Sequence, residues 1–192
     1  MNIIKTLTLT TSKFLNLYLT EYKDKVDKDK SWVWVGRPNN RKAVIIVAEV
    51  EGEFQWVGGY KQDNKLVVIK EFRIPICDYE WGFPAGLIDG DEPVEDAVKR
   101  ELKEETGLDV KEISLISPFI FSTAGITNES VAIAYVKATG ELSNKNLESS
   151  EDIETFLMNQ QDVKKLLEDK DKNFGAKAWI VLNTFAKHGR VI

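Results

Sequence analysis

Apolar and polar residues alternate along the first part of the chain with the period of two that is typical of β-strands. The alternation runs through residues 3–22 and returns at 31–35. Between them lies a charged run at 23–30, which we interpret as a solvated turn. The pattern predicts a small N-terminal β-hairpin element over residues 1–40, which ends near a Pro-Asn-Asn sequence.

The remaining residues, 41–192, are predicted to form one larger domain. Short apolar runs separated by turn residues predict strands at Ala43–Glu49, Phe54–Val57, Leu66–Glu71, Val110–Ser117 and Val131–Val136, with another short apolar run at Ile153–Leu157. Helical patterns are predicted at about 93–106, from a cap at Asn159 to about 170, and at about 176–187. Strands therefore dominate, with three helices in the second half, and we expect an α+β fold around one core.

The first predicted helix carries negative charge where an apolar face is expected. Its apolar stripe consists of Val94, Ala97, Val98 and Leu102. Glu101 and Glu105 fall within that stripe, one turn apart, and Glu104 lies at its edge. Two like charges at this spacing are unfavourable in water and more so against a core. A divalent cation held by oxygen ligands would resolve the conflict, and clustered carboxylates suit Mg²⁺. This helix therefore predicts a metal site.

The ends of this helix also carry local signals. Pro93 suits the first turn, and Asp91 or Glu92 is expected to cap it. Gly107 is the expected left-handed stop.

Composition narrows the functional classes. The chain has 192 residues, is 43% hydrophobic and 30% charged, and has a net charge of −5, which argues against nucleic acid as a partner. An acidic protein that handles phosphates needs metal ions to neutralise them. The single Cys77 excludes an internal disulfide and fits a reducing compartment. The lone histidine, His188, lies near the end of the chain, so carboxylates are the acid–base candidates. With neither a signal sequence nor a membrane span, we expect a cytoplasmic protein.

The stretch 86–108 resembles the signature of the Nudix hydrolases, Gly-x5-Glu-x7-Arg-Glu-apolar-x-Glu-Glu-x-Gly-apolar. Every position is filled, by Gly86, Glu92, Arg100, Glu101, Leu102, Glu104, Glu105, Gly107 and Leu108. The resemblance implies an α/β/α sandwich with a mixed sheet. It also implies Mg²⁺- or Mn²⁺-dependent hydrolysis of a nucleoside diphosphate linked to another moiety. Glu101, Glu104 and Glu105 would be metal ligands, and Arg100 and Glu92 would order the loop around the helix.

The sequence before the signature, Phe83-Pro84-Ala85-Gly86, resembles the lead-in of ADP-ribose and nucleotide-sugar pyrophosphatases. In that group the Ala85 carbonyl would be a further metal ligand, and Arg73 would bind the diphosphate. The loop Ser122–Glu129 resembles one that carries a catalytic glutamate, so Glu129 is the leading general base, with Glu104 or Glu105 as the alternative. Two residues depart from the group: Gly82 stands where a glutamate is usual, and Ala124 where ADP-ribose hydrolases have proline.

Trp32 and Trp34 share one face of a predicted strand. The resemblance implies that an aromatic residue here stacks on the nucleotide base, often across a homodimer interface, and core packing is the alternative. The expected function is hydrolysis of ADP-ribose or a related nucleoside diphosphate sugar. A housecleaning nucleoside triphosphate pyrophosphohydrolase and a catalytically silent nucleotide-binding regulator are the alternatives.

Overall fold

The N-terminal element is a separate antiparallel sheet. The computed structural model describes residues 1–52 and 64–191, and in it this sheet consists of β1 (Asn2–Thr10), β2 (Asn16–Lys23) and β3 (Asp29–Gly36). The predicted hairpin thus has a third strand. The alternating stretch is divided between β1 and β2 by a turn in which Ser12 Oγ accepts the Leu15 N–H at 2.9 Å. That residues 1–40 and 41–192 are distinct domains stays a prediction.

Nine strands of the described chain form the larger sheet. They are β4 (Ala43–Val50), β5 (Lys65–Arg73), β6 (Asp78–Gly82), β7 (Ala85–Leu87), β8 (Asp109–Ile116), β9 (Ile120–Phe121), β10 (Ser130–Thr139), β11 (Ile153–Met158) and β12 (Asn173–Phe174). The central path runs β12-β6-β5-β4-β10-β8, and β11, β7 and β9 pair with β5, β4 and β10. The sheet is mixed because β10 runs parallel to β4 whereas β5 runs antiparallel to it.

Helices cover both faces of this sheet. They are α1 (Val94–Thr106), α2 (Gln160–Glu168) and α3 (Ala176–His188). Because side chains alternate along a strand, β4 serves both layers. Val44 and Ile46 belong to the buried cluster that includes α1, whereas Val47 belongs to the cluster that includes α2 and α3. The layers therefore stack as α/β/α, as the sequence predicts.

The predicted element positions are largely confirmed. The strands predicted in the described residues are present within a few residues of their expected ends, and the run at Ile153–Leu157 forms β11. The strand predicted at Phe54–Val57 lies outside the described residues. Asn159 caps α2 through its Oδ1, which accepts the N–H groups of Gln161 and Asp162 at 2.8 and 3.0 Å. The short strands β6, β7, β9 and β12 were not predicted. Glycine and proline punctuate the sequence near β6 and β7, and β9 and β12 have only two residues each.

The predicted cap of α1 is wrong. The residue that precedes its first turn is Pro93, and no side chain caps the helix. The Glu92 carboxylate instead binds the Arg100 guanidinium and accepts the Asp89 N–H at 3.2 Å. A charge-assisted pair thus replaces the cap. At the other end, Gly107 has φ +78° and its N–H donates to the Lys103 carbonyl at 3.0 Å, which confirms the left-handed stop.

Among the described residues, every helix is too short or too polar to cross a membrane.

Candidate active site

A cleft of about 540 Å³ opens where the central sheet meets the beginning of α3. Residues that are far apart in the sequence line it. Its lining includes Arg37, Arg73, Glu80, Ala85, Gly86 and Glu129. Two arginines, two acids and the backbone of β7 therefore face one space, together with Lys177 of α3.

Two acids of α1 are buried beside this cleft. Glu101 is 8% exposed and Glu105 is 5% exposed, and they are the only charged residues in the buried class within the described part of the chain. Both project from the helix face that also carries the fully buried Val98 and Leu102. The expected charge within the apolar stripe is thus present. Glu104 lies at the edge, with 46% of its side chain exposed.

The backbone of β7 lies directly against the Glu101 carboxylate. A Cβ added at Gly86 would lie 1.9 Å from the carboxyl carbon of Glu101, far inside van der Waals contact. Pairing of Gly86 with Val44 fixes β7 on the central strand, so the backbone cannot easily retreat. Only glycine leaves room here, and this explains its position at the head of the signature.

Burial makes the charge on these acids costly. It raises the pKa of Glu105 to about 9. The N–H of Ala85, which donates to Glu105 Oε2 at 3.2 Å, opposes this shift, and the charges of Glu101, Glu71 and Glu151 add to it. The pKa of Glu101 is also raised, again mainly by burial, with Arg100 acting in the opposite direction. The pair is electrostatically frustrated in the protein alone.

Arg100 connects the acidic helix to the loop before it. Its Nε and Nη2 donate to both oxygens of Glu92 at 3.1 and 2.9 Å, and this pairing lowers the pKa of that carboxyl. Nη2 also donates to the Leu87 carbonyl at 3.0 Å. The remaining nitrogen, Nη1, lies 2.7 Å from Glu101 and 3.2 Å from Glu104. The forked guanidinium therefore joins loop and helix, and contacts two of the predicted metal ligands.

Arg73 and Glu129, predicted from separate segments, line the same cleft. Arg73 ends β5 and pairs with Glu71 and Glu80, the latter at 3.2 Å. Glu129 accepts a hydrogen bond from Arg37 Nε at 2.7 Å. Sequence reasoning missed Arg37. The available signal was an arginine immediately after the tryptophan-bearing strand, which we interpreted as the end of a hairpin.

Two further acids near the cleft were also missed. Glu71, on β5, is partly buried, and burial raises its pKa. β11 pairs antiparallel with β5, with Ile153 opposite Glu71, so the chain just before β11 approaches Arg73. Glu151 lies there, and its charge raises the pKa of Glu71, Glu101 and Glu105. The missed signal is an acid directly before a strand that pairs with the strand of Arg73.

The predicted tryptophans line a second cleft, of about 570 Å³, between the N-terminal sheet and the segment 121–128. Trp34 stacks on Tyr18 with ring centroids 4.4 Å apart, and its Nε1 donates to Thr20 Oγ1 at 2.8 Å. Trp32 is 53% exposed, and its Nε1 donates to the Gly125 carbonyl at 3.0 Å. The two side chains thus differ: Trp34 is packed, whereas Trp32 presents much of its ring to solvent.

Comparisons with known proteins agree with this architecture. The model of the NUDIX domain matches residues 39–179, so the chain belongs to the Nudix family. It is similar to an ADP-ribose pyrophosphatase of Saccharomyces cerevisiae, with 31% identity over 149 residues, which cover 75% of this chain and 63% of the relative. It is 34% identical over 135 residues to a putative nudix hydrolase 2 of Caenorhabditis elegans, covering 67% and 59% of the two chains. The matches thus span about three fifths of these relatives.

A solved structure, the crystal structure of an ADP compounds hydrolase, shares the fold. The match covers 100% of this chain and 96% of the chain in that structure, with a TM-score of 0.71 and 22% sequence identity. The predicted α/β/α sandwich with a mixed sheet is confirmed.

Nudix hydrolases in general use divalent metal ions, and the residues of this chain fit that use. Across residues 1–52 and 64–191, no three acidic, histidine or cysteine side chains are grouped closely enough to hold an ion as they stand. The donors are nevertheless of the right chemistry. Glu105 is buried with a backbone N–H as its hydrogen-bond partner, and Glu101 lies between the Gly86 backbone and one cation, Arg100, whose nitrogens are shared with other acceptors. Hard oxygen donors whose negative charge is only partly compensated suit a divalent cation.

We predict that E105Q stabilises the metal-free protein at pH 8. The folded-state pKa of about 9 exceeds the ordinary value of 4.5, so the unfolded chain ionises first and stability falls as pH rises between these values. Glutamine removes the charge and keeps an oxygen for the Ala85 N–H. Thermal unfolding in EDTA should show a gain of about 1–3 kcal/mol at pH 8 and a much smaller one at pH 5. E104Q, at an exposed position, is the control, and a loss of stability in E105Q at pH 8 would contradict the prediction.

We also predict that G86A weakens metal binding. The added Cβ must displace the Glu101 carboxylate, and overpacking of this kind costs about 1–3 kcal/mol. Calorimetric titration with Mn²⁺ should show weaker affinity in G86A than in the wild-type protein. G82A is the matched control, because a Cβ at Gly82 meets nothing within 4 Å. Equal Mn²⁺ affinity in G86A and wild type would show that the close approach has no part in the site.

Proposed function

We propose that this chain hydrolyses the diphosphate linkage of ADP-ribose or a related nucleoside diphosphate sugar, in a metal-dependent reaction that yields a nucleoside monophosphate and a sugar phosphate. One observation carries the proposal. Buried carboxylates of α1 lie against the Ala85–Gly86 backbone, beside a cleft that two arginines also line. Anionic groups that need cations and cations that suit phosphates thus occupy one site. The name of the yeast relative, ADP-ribose pyrophosphatase, supports this substrate class.

The predicted metal ligands are Glu101, Glu104, Glu105 and the carbonyl of Ala85, and the ion we propose is Mg²⁺, with Mn²⁺ as a substitute. When bound, such an ion offsets the negative charge of the diphosphate and lowers the pKa of a water molecule. The role of Gly86 is to admit the backbone to Glu101. Two nitrogens of Arg100 donate to the Glu92 carboxylate, and one of them also donates to the Leu87 carbonyl, which keeps that backbone in place.

Arg73 and Arg37 are proposed to bind the diphosphate oxygens. A guanidinium fork matches phosphate geometry. In the protein each arginine is paired with acids in or beside the cleft, Arg73 with Glu71 and Glu80, and Arg37 with Glu129. Substrate oxygens would replace these acids as acceptors, so the arginines are held ready in the cleft.

Glu129 is proposed as the acceptor of the proton from the attacking water, with Glu104 or Glu105 as the alternative. Its contact with Arg37 supports this role, because transfer of Arg37 to the diphosphate would leave the Glu129 carboxylate without its cation. The P–O bond of the diphosphate then breaks, and the leaving phosphate departs with its electron pair. We also propose Glu151 as a further acid of the site, because its negative charge raises the pKa of Glu71, Glu101 and Glu105.

We propose a homodimer for the assembly. Every residue of β1 is exposed, including Ile3, Leu7 and Leu9, and this strand forms the outer edge of its sheet. An exposed apolar edge is a site for pairing with another chain, and a second copy would cover it. The free, exposed Cys77 suits the cytoplasmic location that we also propose.

A substrate panel tests the proposal. With Mg²⁺ or Mn²⁺, we expect AMP and ribose 5-phosphate from ADP-ribose, and we expect E105Q to lower kcat by orders of magnitude while circular dichroism shows an intact fold. The panel should include other nucleotide sugars, dinucleoside polyphosphates and nucleoside triphosphates.

The panel also separates the alternatives. Pyrophosphate release from a nucleoside triphosphate, with no reaction of ADP-ribose, would select the housecleaning enzyme. Calorimetric binding of nucleotides without metal-dependent turnover would select the silent regulator. Near-normal turnover in E105Q would contradict the metal assignment.

We predict that W32A raises KM for the nucleotide substrate and leaves kcat nearly unchanged. Base–aromatic stacking is worth about 1–3 kcal/mol, which corresponds to a rise in KM of about 5- to 150-fold. Steady-state kinetics of W32A measure this. V33A is the matched control, because Val33 is similarly exposed on the opposite face of the same strand. An unchanged KM in W32A would assign Trp32 to another role.

A further inference from the structure

Three adjacent strands carry a cross-strand contact on the face of the sheet that packs against α2 and α3, which we call the outer face. The inner face is the one that packs against α1. β5 lies between β6 and β11, and the register places Tyr79 opposite Phe72. Tyr79 Oη reaches across this middle strand and donates to Asp152 Oδ2 at 2.8 Å. The ring of Phe72 supports the reach, because it meets the Tyr79 ring edge to face with centroids 5.4 Å apart. The side chain of Asp152 is thereby tied to a strand two positions away.

The backbone of Asp152 is held as well. The Phe72 N–H donates to the Asp152 carbonyl at 3.0 Å, which extends the β5–β11 ladder by one residue. Lys70 Nζ lies 4.1 Å from the centre of the Tyr79 ring and 2.8 Å from Glu154, on the neighbouring strand. Asp152 is thus the point at which the preceding loop joins the sheet.

Because side chains alternate along a strand, the candidate site lies on the opposite face of the sheet from the Tyr79–Asp152 contact. Lys70 and Phe72 point to the outer face, so Glu71 and Arg73 point to the inner face. Glu151 directly precedes Asp152, and its side chain is therefore directed to the side of Glu71. The influence of the Glu151 charge on Glu71, Glu101 and Glu105 agrees with this direction.

Within the loop, Glu151 is hydrogen-bonded to Glu148. The N–H of Glu151 donates to the Glu148 carbonyl at 3.0 Å, and Glu151 Oε2 accepts the Glu148 N–H at 3.0 Å. Both contacts stay within the loop and do not hold it on the sheet. The loop has a second tie, the Ser143 N–H, which donates to the Thr106 carbonyl at 2.9 Å, but Asp152 is the tie next to Glu151.

We propose that the Tyr79–Asp152 hydrogen bond positions Glu151. The bond fixes the end of the 140–152 loop on the outer face, so that the Glu151 carboxylate is directed toward Glu71, Glu101 and Glu105. This inference rests on the proposed function. Tyr79 and Asp152 are positioning residues, since neither contacts the cleft acids, and they act through Glu151.

The test combines kinetics with hydrogen exchange. Y79F removes the donor oxygen and keeps the ring packing. We expect it to lower kcat for ADP-ribose about tenfold with KM unchanged. In an E151Q background, Y79F should cause no further loss, because the residue through which it acts is already disabled. Y135F is the matched control, since Tyr135 Oη makes no hydrogen bond to any residue in the described ranges. Thermal unfolding should show that all variants remain folded at the assay temperature.

The exchange measurement does not require turnover. Deuterium uptake by a peptide covering 147–153 should rise in Y79F, and uptake by a peptide covering α1 should stay as in the wild-type protein. Unchanged uptake at 147–153 would overturn the proposal, even if no substrate is turned over.

The kinetic outcomes are equally decisive. An equal loss of kcat on Y79F in the wild-type and E151Q backgrounds would show that Tyr79 does not act through Glu151, and wild-type activity in E151Q would remove the role of Glu151. Absence of turnover by the wild-type protein across the panel would instead contradict the proposed function, and the exchange result alone would then decide whether Tyr79 holds the loop.

Discussion

The structure depends on one costly arrangement, the burial of two carboxylates one turn apart on an apolar helix face. Glu101 and Glu105 are removed from water, and the charge of Glu101 adds to the cost of charging Glu105. A side chain of the same size without charge would pack at least as well there. The neighbouring features are arranged around this cost. Gly86 lets a strand approach the carboxylate of Glu101, and Ala85 donates an N–H to that of Glu105.

The surroundings of these acids do not neutralise them. Arg100 is the one cation in direct contact with Glu101 within the described chain, and most of its hydrogen bonds go to Glu92 and the Leu87 carbonyl. Arg37 and Arg73 are occupied by other acids. Charge balance at the cleft is thus local and incomplete, with each cation engaged by partners that a diphosphate could replace. This incomplete balance is what our proposed diphosphate site requires.

How well the sequence predicts a feature depends on how far apart in the chain the interacting residues lie. The acidic helix, its glycine stop and the cap of α2 are set by residues within a few positions of one another, and their predictions hold. The cap predicted for α1 failed because Arg100, eight residues away, competes for Glu92. Arg37 and Glu129 are 92 residues apart in the chain, and no local pattern indicates that they meet. Glu71 and Glu151 meet the site only through the pairing of β5 with β11, which periodicity alone does not specify.

The position of Arg37 bears on how this chain can be divided. It directly follows β3 and precedes residue 39, where the match to the NUDIX domain begins. Its ion pair with Glu129 nevertheless belongs to the cleft of the larger sheet. A truncated chain beginning at residue 39 would keep the whole signature and lose one of the two arginines that line the cleft. The part of the sequence that matches the family model is therefore narrower than the set of residues that lines the cleft.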